Sequence, residues 1–268
     1  MRRSRIAAYV TSLLLAVGLA LTGAAAAQAS PLAAAGGYVA LGDSYSSGVG
    51  AGNYISSSGS CDRSTNAYPY LWQAAHAPSS FSFLACSGAT TTDVLSNQLG
   101  TLNSATSLVS LTIGGNDAGF SDVMLTCVLQ SDSSCLSRIA TAKAYVDSTL
   151  PGKLDAVYSA ISAKAPSAHV VVLGYPRFYK LGTTCVGLSG TKRSAINGAA
   201  DYLDAAIAKR AADHGFTFGD VRTTFSGHEI CSNDSWLHSV DWLDIGQSYH
   251  PTAAGQSGGY LPVLNSAA

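Results

Sequence analysis

Five short apolar runs, separated by longer stretches of mixed polarity, constrain the fold of this chain more than any other feature. Near-continuous apolar runs of four to eight residues are typical of parallel strands that are buried on both faces. The runs are "YVAL" (38–41), "FSFLA" (81–85), "LVSLTIG" (108–114), "HVVVLGY" (169–175) and "FTFGDV" (216–221).

The stretches between these runs have helical periodicity. In residues 191–215 five apolar side chains recur on one helical face, and Gly215 follows where a helix cap is expected. Residues 136–165 show a second such pattern, in which Pro151 is placed to begin a new helix. The faces comprise Ile196, Ala199, Ala200, Leu203 and Ile207, and Leu154, Val157, Tyr158 and Ile161. Alternating strands and helices predict a layered α/β fold, with ligand chemistry at the carboxyl ends of the strands.

The first 29 residues are predicted to be a secretory signal. They have a basic start, an apolar middle too short to span a bilayer, and small residues around a cleavage point after Ala29. No apolar residue follows Arg2-Arg3 at the usual place, which favours the general secretory route over the twin-arginine route. We therefore expect an extracellular protein with a short tail at 30–37 and one domain over 38–268.

The charge of the remaining chain excludes some partners. Three of the 15 basic residues and none of the 16 acidic residues lie in the leader, so the mature chain has 12 basic and 16 acidic residues and a net charge of −4. This charge argues against binding to nucleic acid and against anchoring to an anionic membrane. We expect a monomer that does not insert stably into membranes.

Six cysteines in an exported chain predict three disulfides. Their scattered spacing, without a CxxC pair, argues against zinc, and we expect neither a metal nor another cofactor. Fifteen pairings are formally allowed, and pairing between neighbours in the sequence is favoured. These neighbours are Cys61 with Cys86, Cys127 with Cys135, and Cys185 with Cys231.

Three loops that follow predicted strands carry candidate catalytic groups. Ser44, in "GDS", comes just after the first strand and is placed to attack a substrate, although Gly-Asp-Ser turns are common. Gly88 follows the second strand and Asn116 the third. A backbone donor and a side-chain amide at the same end of the sheet are the components of an oxyanion hole.

A serine nucleophile requires a base, and His250 in "QSYHPT" is the favoured candidate. It lies in a C-terminal loop long enough to fold back over the sheet. His76 and His214 belong to helical patterns and His169 opens a strand, which favours packing roles, whereas the loop residues His228 and His238 are weaker alternatives.

These segments together resemble the SGNH (GDSL) hydrolase family, whose blocks GDS, glycine, GxND and DxxH occur in this order. The resemblance extends from about Tyr38 to Pro262, and "LGYPR", "SGGYLPV" and the six cysteines look closest to its secreted streptomycete lipases and phospholipases. It implies a flavodoxin-like three-layer α/β/α sandwich with a five-stranded parallel sheet and a metal-free serine ester hydrolase. Ser44 would be the nucleophile, His250 the base, and Ser44 N–H, Gly88 N–H and Asn116 the oxyanion donors.

One position departs from the family pattern, because Gln247 replaces the aspartate that precedes the histidine by three residues. Glutamine lacks the charge that steadies an imidazolium. The resemblance suggests that a backbone carbonyl at Gln247 or Ser248 orients His250 instead. A carboxylate from Asp241 or Asp244 is the alternative.

The substrate class remains open at this level. Apolar residues after Asn116 and in "GYPRFYKLG" could form a lipid-facing groove or simply pack against the sheet: Phe120, Val123, Met124, Leu125, Val128, Phe178 and Tyr179. The favoured function is hydrolysis of fatty-acyl esters of glycerolipids through an acyl-enzyme on Ser44. The alternatives are a phospholipase of the A type, a polysaccharide acetyl esterase, or a binding module without catalysis.

Overall fold

The structure, a computed structural model, describes residues 36–268 and contains a parallel sheet of five strands. The strands follow the order β2-β1-β3-β4-β5, and all neighbouring pairs are parallel. This order and the enclosing helices confirm the predicted flavodoxin-like sandwich. Each strand lies within or overlaps one predicted run: β1 (Gly37–Gly42), β2 (Phe81–Phe83), β3 (Thr106–Thr112), β4 (His169–Leu173) and β5 (Thr217–Gly219).

Helices cover the sheet in two groups. Helices α4 to α7 pack successively against one another, whereas α2 packs with α8. The helices are α1 (Ser44–Ser47), α2 (Tyr68–His76), α3 (Thr91–Asp93), α4 (Phe120–Leu129), α5 (Asp132–Ser148), α6 (Leu150–Lys164), α7 (Gly190–Asp213) and α8 (Leu261–Ala267). Wider π-helical turns cover Val94–Gln98 and Gly255–Tyr260, and 3₁₀ turns cover Ser56–Cys61 and Ile245–Gln247.

Both helical predictions are confirmed. Pro151 lies in the first turn of α6, one turn after α5 ends, so the proline separates two helices. Gly215 follows α7 with a φ of 72°, the left-handed conformation that commonly terminates helices. The apolar face predicted for α6 is completely buried.

The six cysteines form three disulfides, each between neighbours in the sequence: Cys61–Cys86, Cys127–Cys135 and Cys185–Cys231. The first of them holds the turn that follows β2, two residues before Gly88. Within residues 36–268 there is no group of three side chains suited to a metal ion, and no helix has the length and apolar character of a bilayer span.

The strand order brings the three candidate loops together. Strand β1 lies between β2 and β3, so the turns after these three strands leave the sheet side by side. The predicted domain starts close to β1, which begins at Gly37. The predicted signal (1–29) and tail residues 30–35 lie outside the described residues.

Candidate active site

Ser44 is the first residue of α1, directly beyond the end of β1. The Asp43 carboxylate caps this short helix by accepting a hydrogen bond from Tyr45 N at 3.0 Å. Among residues 36–268 no acceptor contacts the Ser44 N–H, which leaves it available to a ligand. Gly42 has a φ of 118°, and a Cβ there would collide with the Thr112 carbonyl oxygen. Glycine is therefore required where the chain turns sharply from β1 into the serine loop.

His250 meets Ser44 although 206 positions separate them in the sequence. Its Nε2 lies 2.7 Å from Ser44 Oγ, and its Nδ1 donates to the Ser248 carbonyl at 3.1 Å. The Gln247 carbonyl instead accepts from His250 N, at 3.1 Å. The arrangement thus matches a Ser-His pair oriented by a backbone carbonyl.

The two carboxylates considered as alternatives are engaged elsewhere or exposed. Asp241 accepts hydrogen bonds from Leu243 N, Asp244 N and the Gln247 side chain. Asp244 is solvent-exposed. In the part of the chain that the structure describes, neither carboxylate is hydrogen-bonded to His250.

Burial lowers the pKa of His250 to about 4. The hydrogen bond to the Ser248 carbonyl opposes this shift, and the nearby His238 adds to it. A neutral imidazole is the form that can accept a proton from a hydroxyl, and this environment favours the neutral form of His250 above about pH 4.

The other histidines have partners away from Ser44. His238 supports the His250 loop, because its Nε2 lies 2.8 Å from Gly50 O and its backbone pairs with His250. The remaining four are occupied in packing or polar contacts: His76 stacks on Trp72, His169 contacts Ala267 O, His214 contacts Asp155, and His228 stacks on Trp236.

The turns that carry Gly88 and Asn116 are tied to each other and to β1. Cys86 N donates to Gly42 O at 3.0 Å, and Asn116 Nδ2 donates to Ala89 O at 2.9 Å. The Asn116 amide has a second N–H that remains available. Gly88 is exposed and has a φ of 74°, which explains glycine at this position. The structure therefore places both predicted oxyanion donors in turns adjacent to the Ser44 loop.

Tyr175, at the end of the fourth apolar run, was not predicted as part of the site. Its hydroxyl donates to Asp43 Oδ2 at 2.5 Å and accepts from Gly115 N at 3.1 Å. It thereby connects the residue before Ser44 with the residue before Asn116. The position of Tyr175 just beyond β4 is the signal that could have identified it.

Asp43 is the second residue that the sequence analysis left without a role. Its buried carboxyl accepts from Tyr45 N, from Thr112 Oγ1 at 2.6 Å and from Tyr175. Burial raises the pKa of Asp43 to about 6, although these hydrogen bonds lower it. The three donors hold the serine loop in a single geometry.

An apolar pocket opens beside Ser44 and has a volume of about 710 Å³ including its mouth. Four of the seven candidate groove residues line it: Phe120, Val123, Met124 and Phe178. Leu125, Val128 and Tyr179 do not line it. Leu125 lies on the exposed side of α4, and the Tyr179 hydroxyl bonds to Tyr249 instead. Helix α7 contributes a further wall that was not predicted, through Ile196, Ala199, Ala200 and Leu203.

Comparison with known proteins identifies the family. Residues 40–257 match the GDSL-like lipase/acylhydrolase family. The chain is 76% identical to Lipase 1 of Streptomyces coelicolor over the full length of both proteins.

Two solved structures are also similar. The crystal structure of phospholipase A1 from Streptomyces albidoflavus has 72% identity and a TM-score of 0.86, over 88% of this chain and 100% of that one. The extracellular lipase of Streptomyces rimosus has 67% identity and a TM-score of 0.85, over 87% and 100%. The fold, the order of the motifs and these matches show that the chain belongs to the GDSL-like lipase/acylhydrolase family.

Proposed function

We propose that this carboxylic ester hydrolase is secreted and cleaves fatty-acyl esters of glycerolipids, with Ser44 as nucleophile and His250 as base. The observation that carries the proposal is the 2.7 Å contact between His250 Nε2 and Ser44 Oγ at an apolar pocket. Relatives named lipase and phospholipase A1 support the substrate class. The predicted signal, the disulfides and a relative named as an extracellular lipase support secretion.

In the acylation step, Ser44 Oγ attacks the ester carbonyl carbon while its proton moves to His250 Nε2. The Ser248 carbonyl, which accepts a hydrogen bond from Nδ1–H, would stabilise the positive charge that forms on the imidazole. The tetrahedral intermediate then collapses, and the departing alkoxide takes the proton from Nε2. The products of this half-reaction are an alcohol and an acyl ester on Ser44.

The negative charge of the tetrahedral intermediate requires donors that are already in place. The Ser44 N–H, the Gly88 N–H and the free N–H of the Asn116 amide would supply them. Because these groups belong to turns held by β1, β2 and β3, they need little reorganisation when the charge develops. Water activated by His250 then attacks the acyl-enzyme by the reverse sequence and releases the fatty acid.

The pocket indicates where the acyl chain would lie. Helices α4, α5 and α7 supply mostly apolar side chains to its walls, with Lys143 of α5 as the one charged exception among them, and Ser44 and Asn116 also line it. An aliphatic chain would gain about 0.8 kcal/mol for each buried methylene group. Because one chain supplies both the Ser44–His250 pair and the pocket, we propose that the enzyme acts as a monomer.

The proposal is tested with nitrophenyl esters of increasing chain length and with Ser44→Ala. The wild type should favour acyl chains longer than about four carbons, and Ser44→Ala should lose on the order of 10⁴-fold in turnover. Ser47→Ala is the matched control and should stay within about tenfold, because it removes a neighbouring hydroxyl whose one hydrogen bond within residues 36–268 is to Ser44 O. A sharp loss of activity beyond acetyl would instead indicate an acetyl esterase.

Phospholipid hydrolysis is the second candidate, because a relative with 72% identity is named phospholipase A1. Phospholipids labelled separately on each acyl chain separate the two cases. Release of one labelled chain at a rate comparable to triacylglycerol hydrolysis would assign phospholipase A activity. Hydrolysis of triacylglycerol alone would exclude it.

A further inference from the structure

Between His238 and His250 the chain forms a loop over residues 239–248, which we call the tip loop. Its base is closed by an antiparallel bridge between Leu237 and Pro251 and by a hydrogen bond from His238 N to His250 O at 2.9 Å. Within the loop, Asp241 N donates to Ser248 Oγ at 2.9 Å. The tip loop is thus closed by hydrogen bonds and leads directly to the proposed base.

Three large apolar side chains of the tip loop face solvent. Leu243 is 100% exposed, Trp242 66% and Ile245 60%. In contrast, Trp72 is only 8% exposed. Side chains with this exposure add little to the packing of the core, and their clustering within four positions distinguishes them from scattered surface residues.

The residue that follows the tip loop contacts the lining of the apolar pocket. Tyr249, which follows the loop, packs edge-on against Phe120 and Phe178 with ring centroids 6.4 and 6.2 Å apart. Both phenylalanines line the pocket. The tip loop is therefore joined through Tyr249 to the wall of the pocket and through His250 to the proposed base.

The charge of the C-terminal segment that contains the tip loop indicates which kind of lipid surface the loop could contact. From Thr223 to Ala268 the sequence has no lysine or arginine, and it has four acidic residues, of which Asp241 and Asp244 belong to the tip loop. Acidic groups are repelled by anionic lipid headgroups, which attract basic segments instead. An uncharged or zwitterionic surface imposes no such repulsion.

We propose that Trp242, Leu243 and Ile245 insert into the surface of a zwitterionic or uncharged lipid aggregate and hold the pocket mouth against it. Tryptophan suits this position because its ring is apolar and its N–H remains near the headgroups. The inference rests on the proposed function, because it concerns the surface from which that site would take its substrate.

Binding is measured with vesicles of dialkyl-ether phosphatidylcholine, which an ester hydrolase cannot cleave. Sedimentation should detect binding of the wild-type protein, and tryptophan emission should shift to shorter wavelength. Trp242→Phe should remove most of the shift while retaining most of the binding. The double variant Leu243→Ser/Ile245→Ser should bind at least tenfold more weakly. Leu129→Ser, at the end of α4 and 61% exposed, is the matched control and should bind like the wild type.

Activity provides an independent measurement. The double variant should hydrolyse a dissolved short-chain ester at the wild-type rate and emulsified triacylglycerol at least tenfold more slowly. Wild-type binding by the double variant, or an equal loss in Leu129→Ser, would overturn the proposal. Two other results would also overturn it. One is stronger binding when anionic phosphatidylglycerol is added at low salt, and the other is that the wild type forms a dimer without lipid whereas the double variant is monomeric. Vesicle binding in the absence of any ester hydrolysis would refute the proposed function but not the docking surface.

Discussion

Replacing Tyr175 by phenylalanine tests how the serine turn and the Asn116 turn are held together. The substitution keeps the ring that forms part of the pocket wall and removes only the hydroxyl. That hydroxyl donates to Asp43 Oδ2 at 2.5 Å and accepts from Gly115 N at 3.1 Å. Asp43 would keep its bonds from Tyr45 N and Thr112, both to Oδ1, so Oδ2 would lose its donor.

The magnitude follows from these two contacts. A lost hydrogen bond to a charged acceptor costs about 1.5–3 kcal/mol, and an unpaired buried N–H costs about 1–3 kcal/mol. Relaxation recovers part of this sum, so we expect the free energy of unfolding to fall by about 2–4 kcal/mol. A complete oxyanion donor contributes about 3–4 kcal/mol to catalysis. If Asn116 is displaced but still present, about a third to a half of that contribution should be lost, about 1–2 kcal/mol, which lowers kcat by about 5- to 30-fold.

The assay combines thermal unfolding with steady-state kinetics on a soluble ester. Tyr179→Phe is the control, because it also removes a buried hydroxyl, which bonds to Tyr249 at 3.0 Å, without touching either turn. Tyr179→Phe should lower the melting temperature but leave kcat nearly unchanged. Tyr175→Phe should lower both, with KM unaltered.

Two results would refute this reasoning. If the two variants lost kcat equally at a temperature where both are folded, the bridge between the turns would have no specific role. If Tyr175→Phe raised KM alone, the hydroxyl would contribute to substrate binding and not to the arrangement of the oxyanion donors.

Three further predictions concern the base and the oxyanion donors. If the Ser248 carbonyl orients His250, turnover should stay within about tenfold in each of Asp241→Ala, Asp244→Ala and Gln247→Ala, whereas His250→Ala should be nearly inactive. A loss of about 10⁴ in either aspartate variant would assign the orienting role to that carboxylate instead. Because the neutral imidazole is the form that acts as a base and burial lowers the pKa of His250 to about 4, the limb of kcat/KM that His250 causes should lie near that pH. Asp43 has a pKa of about 6, so the profile is also measured in Asp43→Asn, and an acid limb near pH 6.5 that persists there would be inconsistent with a desolvated base. Asn116→Ala should lower kcat by about 10²–10³ with little change in KM, as measured on a soluble ester, and a rise in KM alone would assign the amide to binding.

Much of the fold could be predicted from local sequence patterns. Burial on both faces makes a parallel strand continuously apolar, so the five runs correspond to the five strands. The helix that ends before Gly215 and the helix that Pro151 begins were predicted for equally local reasons, since glycine tolerates the left-handed φ that terminates a helix and proline fixes its own φ at a helical value. Ser44, Gly88 and Asn116 were predicted as site residues from their motifs and their positions after strands, and His250 was predicted from its motif in a C-terminal loop.

The tertiary structure decided which groups meet. The sequence left carboxylates and backbone carbonyls open as partners of His250, because every residue carries a carbonyl and the Ser248 carbonyl therefore has no signature of its own. Tyr175 joins two turns that lie 132 and 60 positions away in the sequence, and no local pattern records such a contact. The same holds for the pocket, where packing selects Phe120 and excludes Leu125. Local burial and backbone preference are properties of short segments, whereas the orientation of a base and the wall of a pocket depend on contacts that form only when distant segments pack.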